Sequence, residues 1–325
     1  MLLSRVADAL FWAGRYLERS ESTARVVATH TELFLDLPKA AGLTWSPLLA
    51  VTGGFDQFDS GHVDRSEEHV VGFLLADPDN AGSIVSSLGT ARDNIRTTRG
   101  AFPREAWELL NALHQAVEQQ CSDAISRRNR LPFLHQVIGQ CQQLTGLLAG
   151  SMADDEAYAF FRMGRHIERA DMTTRVLDVR AGMLLHDPTV ISPYADVLWM
   201  GVLKAVGAEH AYRRQGSARV KGSSVLRFLL QDPSFPRSVD HCLAMVTKSV
   251  SDLPSPESVL ARCLTAQYLV DDARVRSLAW DGLGDYVDEL QRALHDIHRE
   301  LEASYFSRRS DANERQPQSV GTLTA

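Results

Sequence analysis

Lysine is nearly missing from this chain. Lys39, Lys204, Lys221 and Lys248 are the only lysines among 34 basic residues, so the other 30 are arginine. Arginine offers a planar fork that grips a carboxylate or phosphate with two parallel hydrogen bonds, which lysine cannot do. A GC-rich genome produces the same bias without any functional reason, so only individual arginine clusters carry weight. A surplus of positive charge is also lacking. The formal net charge is −7, which excludes a globally basic surface and points away from nucleic-acid partners.

Cysteine is scarce and badly spaced for chemistry. Cys121, Cys141, Cys242 and Cys263 form no CxxC pair, which argues against a zinc ribbon and a disulfide framework and is consistent with buried thiols in a reducing cytosol. Aromatic residues are only 7%, and no segment alternates as a half-buried strand should. The longest stretch without a formal charge, Leu131–Ala153, carries His135, Gln136, Gln140, Gln142 and Gln143; it reads as a bundle helix, with no membrane span. Arg5 and Asp8 interrupt any signal-peptide core at the N-terminus, so a cytoplasmic protein is expected. The nucleotide and hydrolase signatures GxxxxGKS/T, GxGxxG after a strand, GxSxG and HExxH do not occur. No Glu is followed three residues later by His, which removes the helical di-iron pattern. His295 and His298 lie one turn apart but lack further metal ligands around them, and read as surface histidines. No metal or cofactor is expected on this chain.

What is present is a repeat. Residues 10–27 (LFWAGRYLERSESTARVV) and 160–177 (FFRMGRHIERADMTTRVL) share eight of 18 positions at an offset of 150. Residues 73–88 (FLLADPDNAGSIVSSL) and 228–243 (FLLQDPSFPRSVDHCL) share seven of 16 at an offset of 155. Two blocks in the same order at nearly one offset indicate duplication of a unit too long for a solenoid. The expected fold is all-α: two pseudo-repeated helical-bundle lobes, 1–152 and 153–306, and a disordered tail over 307–325. Long helices are expected over about 3–36 and 155–186, a loop over Thr52–Asp64, and short helices ending at the two Asp-Pro pairs. Further helices should start around Ser83, around Pro236-Arg237-Ser238 (with Pro236 in the first turn), at Pro103 and at Ser255. A closing helix is expected in each lobe, over 132–152 and 285–306.

The first repeated block carries the candidate site. On a helical wheel Leu10, Ala13, Leu17, Ala24 and Ala28 form one face, while Arg15, Glu18, Arg19, Glu21, Ser22 and Arg25 gather opposite. A solvated face would look like that. Yet Phe11 and Val26 intrude into the charged sector, and the second copy keeps Arg165, Glu168, Arg169 and Arg175 in register. Gly14 and Gly164 also sit inside long helices, at about 1 kcal/mol relative to Ala, which hints at a close approach. Arg15 and Glu18 are spaced to pair on one helix. The cluster holds more guanidinium groups than one helix can neutralise, so if it is buried the surplus must meet the other lobe, a partner protein or an anionic ligand. Arg92, Arg96 and Arg99 form a second arginine stripe, present in one lobe only, which suits either a solvated face or a one-sided anion or partner site.

The runs LLSRVADALFWAGRYLERSESTARV, FRMGRHIERADMTTRVLDVR, ARDNIRTTRGAFPREAWELLN and FLLQDPSFPRSVDHCL resemble the bacterial alpha-E family over about residues 1–306. The resemblance implies an all-helical domain whose Glu-Arg motif maps to Glu18-Arg19 and Glu168-Arg169. It also implies a setting beside, or fused to, a circularly permuted ATP-grasp ligase and a transglutaminase-like protein. On that basis the chain is expected to be the helical partner of an ATP-grasp peptide ligase, with ATP and Mg on the partner. Its arginine faces would dock the ligase or hold an anionic peptide or acyl-phosphate group. Two alternatives stand beside this: Glu18 or Glu168 as general base in amide formation or hydrolysis, and a purely structural scaffold.

Overall fold

The computed structural model describes residues 2–38, 41–62, 64–186, 194–215, 220–279 and 281–306; the expectation for 307–325 lies outside these. Among the described residues the regular structure is helical and strands are absent, as expected. Among them no helix is long and apolar enough to cross a membrane.

Helix α1 spans Ser4–Asp36 and ends where Pro38 forces Leu37 into extended backbone, with φ −95° and ψ 141°. Helix α8 spans Glu156–His186. The Asp155 carboxylate caps its start, accepting from the backbone N–H groups of Ala157 and Tyr158 at 3.0 and 3.1 Å. Both long helices match the expected bounds to within a residue. They cross in the middle of the molecule and pack against each other more extensively than any other pair of helices.

Each long helix carries its own sleeve. Around α1 lie α5 (Ile84–Thr97) and α7 (Arg127–Ser151), with α6 (Arg104–Gln120) bridging those two. Around α8 lie α12 (Val239–Ser251) and α15 (Leu283–Leu301), with α13 (Glu257–Asp271) bridging them. The shorter connectors cross over: α2 (Ser46–Thr52) packs on α8, and α9 (Ala195–Ala205) packs on α1. One continuous apolar core runs from Ala7 to Tyr305. The remaining short helices are α3 (Phe55–Gly61), α4 (Glu67–Leu75), α10 (Glu209–Arg214), α11 (Gly222–Gln231) and α14 (Val275–Leu278).

Four local expectations need correction. Thr52–Asp64 is not all loop, because Phe55–Gly61 forms α3 around buried Phe58. Helix α7 begins at Arg127 and runs through Pro132. It loses the bond that an N–H at 132 would give the Arg128 carbonyl, but buried Arg130 anchors this end by pairing with Glu67 at 2.7 Å. Pro236 is not in a first turn: Ser238 caps α12, accepting from the His241 N–H at 3.1 Å. The last helix ends at Leu301, and 302–306 widens into a π-turn that lays Tyr305 and Phe306 against the core.

Candidate functional site

Where α1 and α8 cross, Gly14 and Gly164 let backbone meet backbone. A Cβ built on Gly14 would overlap the Phe161 carbonyl oxygen, and one on Gly164 would overlap the Phe11 carbonyl oxygen. Each glycine therefore faces the residue three places before the other glycine. The close approach places the next turn of each helix, with its Glu and Arg, directly against its counterpart.

There the glutamates exchange partners. Glu168 accepts from Arg15 Nε at 2.7 Å and from Arg19 through Nε at 2.5 Å and Nη2 at 3.1 Å. Glu18 accepts from Arg169 through Nε at 3.0 Å and Nη2 at 2.6 Å, with Arg165 Nε at 3.5 Å. The pairing of Arg15 with Glu18 along one helix is corrected: Arg15 reaches across to Glu168, because both polar faces turn inward at the crossing. Both glutamates are 1% exposed. The polar face of α1 is thus buried, with Glu21, Ser22 and Thr23 buried beside Glu18.

The electrostatics follow from the pairing. Burial alone would raise the Glu168 carboxyl, but Arg15 and Arg19 overcome it and hold the group down at about 2. Burial opposes ionisation of Glu18 as well, and Arg169 and Arg237 carry it well below the usual carboxylate range. Burial and the neighbouring Arg169 lower Arg165 to about 10. Both carboxylates stay charged at neutral pH, and their oxygens are taken up by guanidinium donors.

Arg237 was not among the residues singled out for the site, yet it completes it. It reaches in from the turn before α12, donates to Glu18 Oε1, and donates to Glu21 Oε1 at 2.6 Å. Its sequence signal was available: within the second repeated block it stands opposite Gly82. Arg25 pairs with Glu21 on its own helix at 2.8 Å, and Arg175 with Asp171 at 2.8 Å. Each of these two arginines also packs on a left-handed glycine that ends a connector helix, Arg25 on Gly207 and Arg175 on Gly53.

The structure does not bring the second arginine stripe to this site. Arg92 donates to Asn111 at 2.8 Å, Arg96 pairs with Asp93 at 3.3 Å, and Arg92 and Arg99 lie over the Trp107 ring at 5.4 and 4.3 Å. That stripe faces α6, on the far side of α5. His295 is exposed, as expected. His298 is not an ordinary surface residue: it stacks on Phe11 with ring centroids 5.2 Å apart, and burial followed by the charge of Arg15 lowers it to about 4. Among the described residues no group of three or more His, Cys, Asp or Glu is placed to hold a metal ion. All four cysteines are buried, and burial pushes Cys242 up to about 12, far from a reactive thiolate.

Two hollows lie along α1. A cleft of about 620 Å³ opens beside Arg25, with Lys204, His210 and Arg213 on its rim. A second cavity, of about 280 Å³, lies beside Arg19, Glu168 and Asp171.

A family model described as a predicted alpha-helical domain with a conserved ER motif matches residues 2–306. Among curated proteins, an uncharacterized protein of Mycobacterium bovis is 25% identical over 324 residues, covering 91% of this chain and 36% of the relative. Uncharacterized proteins of two Mycobacterium tuberculosis strains match with the same identity and coverage. The chain spans about a third of the length of these relatives. No solved structure matches.

Proposed function

The chain belongs to the Alpha-E family, and from that membership we propose that it is a non-catalytic helical partner of a cytoplasmic ATP-grasp amide ligase. ATP, Mg and bond formation reside on the ligase, a transglutaminase-like protein belongs to the same setting, and this chain supplies a binding surface. The observation that carries the reading is the state of the two motif glutamates. A general base needs a carboxyl poised near the working pH and within reach of the substrate's proton. Glu18 and Glu168 are buried, ionised and gripped by arginines of the opposite helix, so they serve as a weld between α1 and α8.

The basic residues around the cleft beside Arg25 are then the docking groups. Arg25, Lys204, His210 and Arg213 share one open cleft. Glu32 and Glu209 hold Lys204 at 3.2 Å and Arg213 at 2.8 Å, in partly exposed pairs that an incoming anion can compete for. An anionic segment of the ligase, or the carboxylate or acyl-phosphate of its peptide substrate, fits this rim.

Co-expression with an ATP-grasp amide ligase from the same organism tests the reading. The two are expected to co-purify, and the chain to raise the ATP-dependent amide-forming rate. Lys204→Glu combined with Arg213→Glu should abolish co-purification with thermal stability unchanged. Glu18→Gln should lower stability, and assembly with it. Turnover lost in a folded, fully assembled Glu18→Gln complex would restore the general-base alternative. Unchanged activity with and without this chain would leave only a scaffold.

A further inference from the structure

The two repeated blocks place corresponding residues around two corresponding spots. Arg169, Thr173, Glu18, Glu21 and Arg237 surround one of them. Arg19, Thr23, Glu168, Asp171 and Gly82 surround the other. The acid and base groups correspond one for one, and the last position does not.

At the first spot the chain fills itself. The Arg237 guanidinium lies between Glu18 and Glu21. Thr173 Oγ1 donates to the Arg237 carbonyl at 3.0 Å, and Arg169 Nη1 donates to the Pro236 carbonyl at 3.2 Å. Only about 10 Å³ of space is left there. At the second spot Gly82 brings no side chain, and a cavity of about 280 Å³ remains, close to the lower end of small-ligand pockets at about 300 Å³. Thr23 lines it and is 1% exposed, and its Oγ1 has no hydrogen-bond partner among the described residues. Burying such a hydroxyl unpaired costs about 1–3 kcal/mol, so the position is suited to a ligand acceptor. Glu168 Oε1 accepts from Arg19 Nε, whereas Glu18 Oε1 accepts from both Arg169 Nε and Arg237 Nη1.

We propose that this cavity binds an arginine-like ligand, its guanidinium between Glu168 and Asp171 and its carbonyl or carboxylate oxygen on Thr23. The molecule already holds a guanidinium at the corresponding spot, among the same kinds of neighbours. A simple anion fits less well: the nearby forks of Arg15, Arg19 and Arg175 are already turned onto Glu168 and Asp171, and those two carboxylates would repel it. The inference is independent of any ligase, since it concerns a different hollow from the docking cleft.

Calorimetric titration of the full chain tests it, using L-arginine, glycyl-arginine, L-citrulline, glutamate and inorganic phosphate. L-arginine or glycyl-arginine is expected to bind, and citrulline, the neutral isostere, about tenfold or more weakly, as when a charged hydrogen bond is lost. Binding of both arginine probes identifies a free guanidinium compound as sufficient; binding of glycyl-arginine alone identifies a peptide. Gly82→Arg should block binding by supplying the missing side chain in cis. Gly82 does not adopt a positive φ, and its Cβ would come 3.2 Å from Asn80 Oδ1, a side-chain atom that can turn aside. Should that variant fail to fold in a thermal melt, Asp171→Asn, which alters only one carboxylate beside the cavity, is expected to weaken arginine binding about tenfold. The proposal is overturned if neither arginine probe binds at millimolar concentration, if citrulline binds equally well, if only phosphate or glutamate binds, or if a folded Gly82→Arg or Asp171→Asn protein keeps full affinity.

Discussion

At Gly14 and Gly164 the backbones of α1 and α8 touch where any Cβ would overlap a carbonyl oxygen. In an isolated helix each costs about 1 kcal/mol relative to alanine. At the crossing, the absence of two Cβ atoms lets three charged side chains per helix reach the other helix: Arg15, Glu18 and Arg19 from α1, and Arg165, Glu168 and Arg169 from α8. Gly164→Ala should therefore destabilise by about 3 kcal/mol or more, since overpacking and the separation of the Glu–Arg pairs act together. Gly139 is the control. It is exposed in α7 with open space where its Cβ would lie, so Gly139→Ala should stabilise by about 0.5–1 kcal/mol. Urea unfolding of both variants checks the opposite signs. The sequence marks Gly14 and Gly164 as unusual through their place inside long helices, but it does not say which backbone comes close. The partner of Arg237 was hidden for a similar reason: the repeated block marks the residue by setting it opposite Gly82, but Glu18 lies 219 residues away and no helical spacing links the two.

Helix bounds depend on short-range rules, and those could be read directly. The extended residue before Pro38 ends α1, and Ser83 and Ser238 start α5 and α12 by accepting from the N–H three residues on, at 3.2 and 3.1 Å. Helices that break those rules could not be read: α7 carries Pro132 because Arg130 and Glu67 hold its first turns, and α3 forms inside a glycine-rich stretch because Phe58 finds the core. The two serine caps are not equivalent in consequence. Removing either hydroxyl should cost about 1 kcal/mol. Ser238→Ala should cost more than Ser83→Ala, because the Ser238 turn also presents Arg237 to Glu18 and Glu21. Differential scanning calorimetry of the two variants, expected to show the larger fall in Tm for Ser238→Ala, decides this.

The whole molecule is joined through charges that must stay charged. Glu18 and Glu168 have folded-state pKa values below their unfolded ones, so the stability they contribute is present above about pH 4.3 and is lost as pH falls toward about 2. His298 has a folded value lowered to about 4. The unfolded chain binds its proton first, so stability also falls as pH drops from about 6.5 toward 4. Thermal melts from pH 7 to pH 2 should show a shallow loss through the histidine window and a steep one below pH 4.5. Glu168→Gln should flatten the steep part while lowering Tm at pH 7, by leaving Arg15 and Arg19 without their buried partner.

Periodicity, caps and proline were enough to establish the helical class and the two long helices, because each of those depends on residues within a few places of one another; the repeated Glu-Arg blocks needed only a comparison of the chain with itself. Whether the arginine faces look outward or inward was beyond reach, because it depends on how two helices 150 residues apart approach. The close contact at Gly14 and Gly164 turned them inward, spent the motif charges on each other, and left one corresponding spot filled by Arg237 and the other hollow beside Gly82.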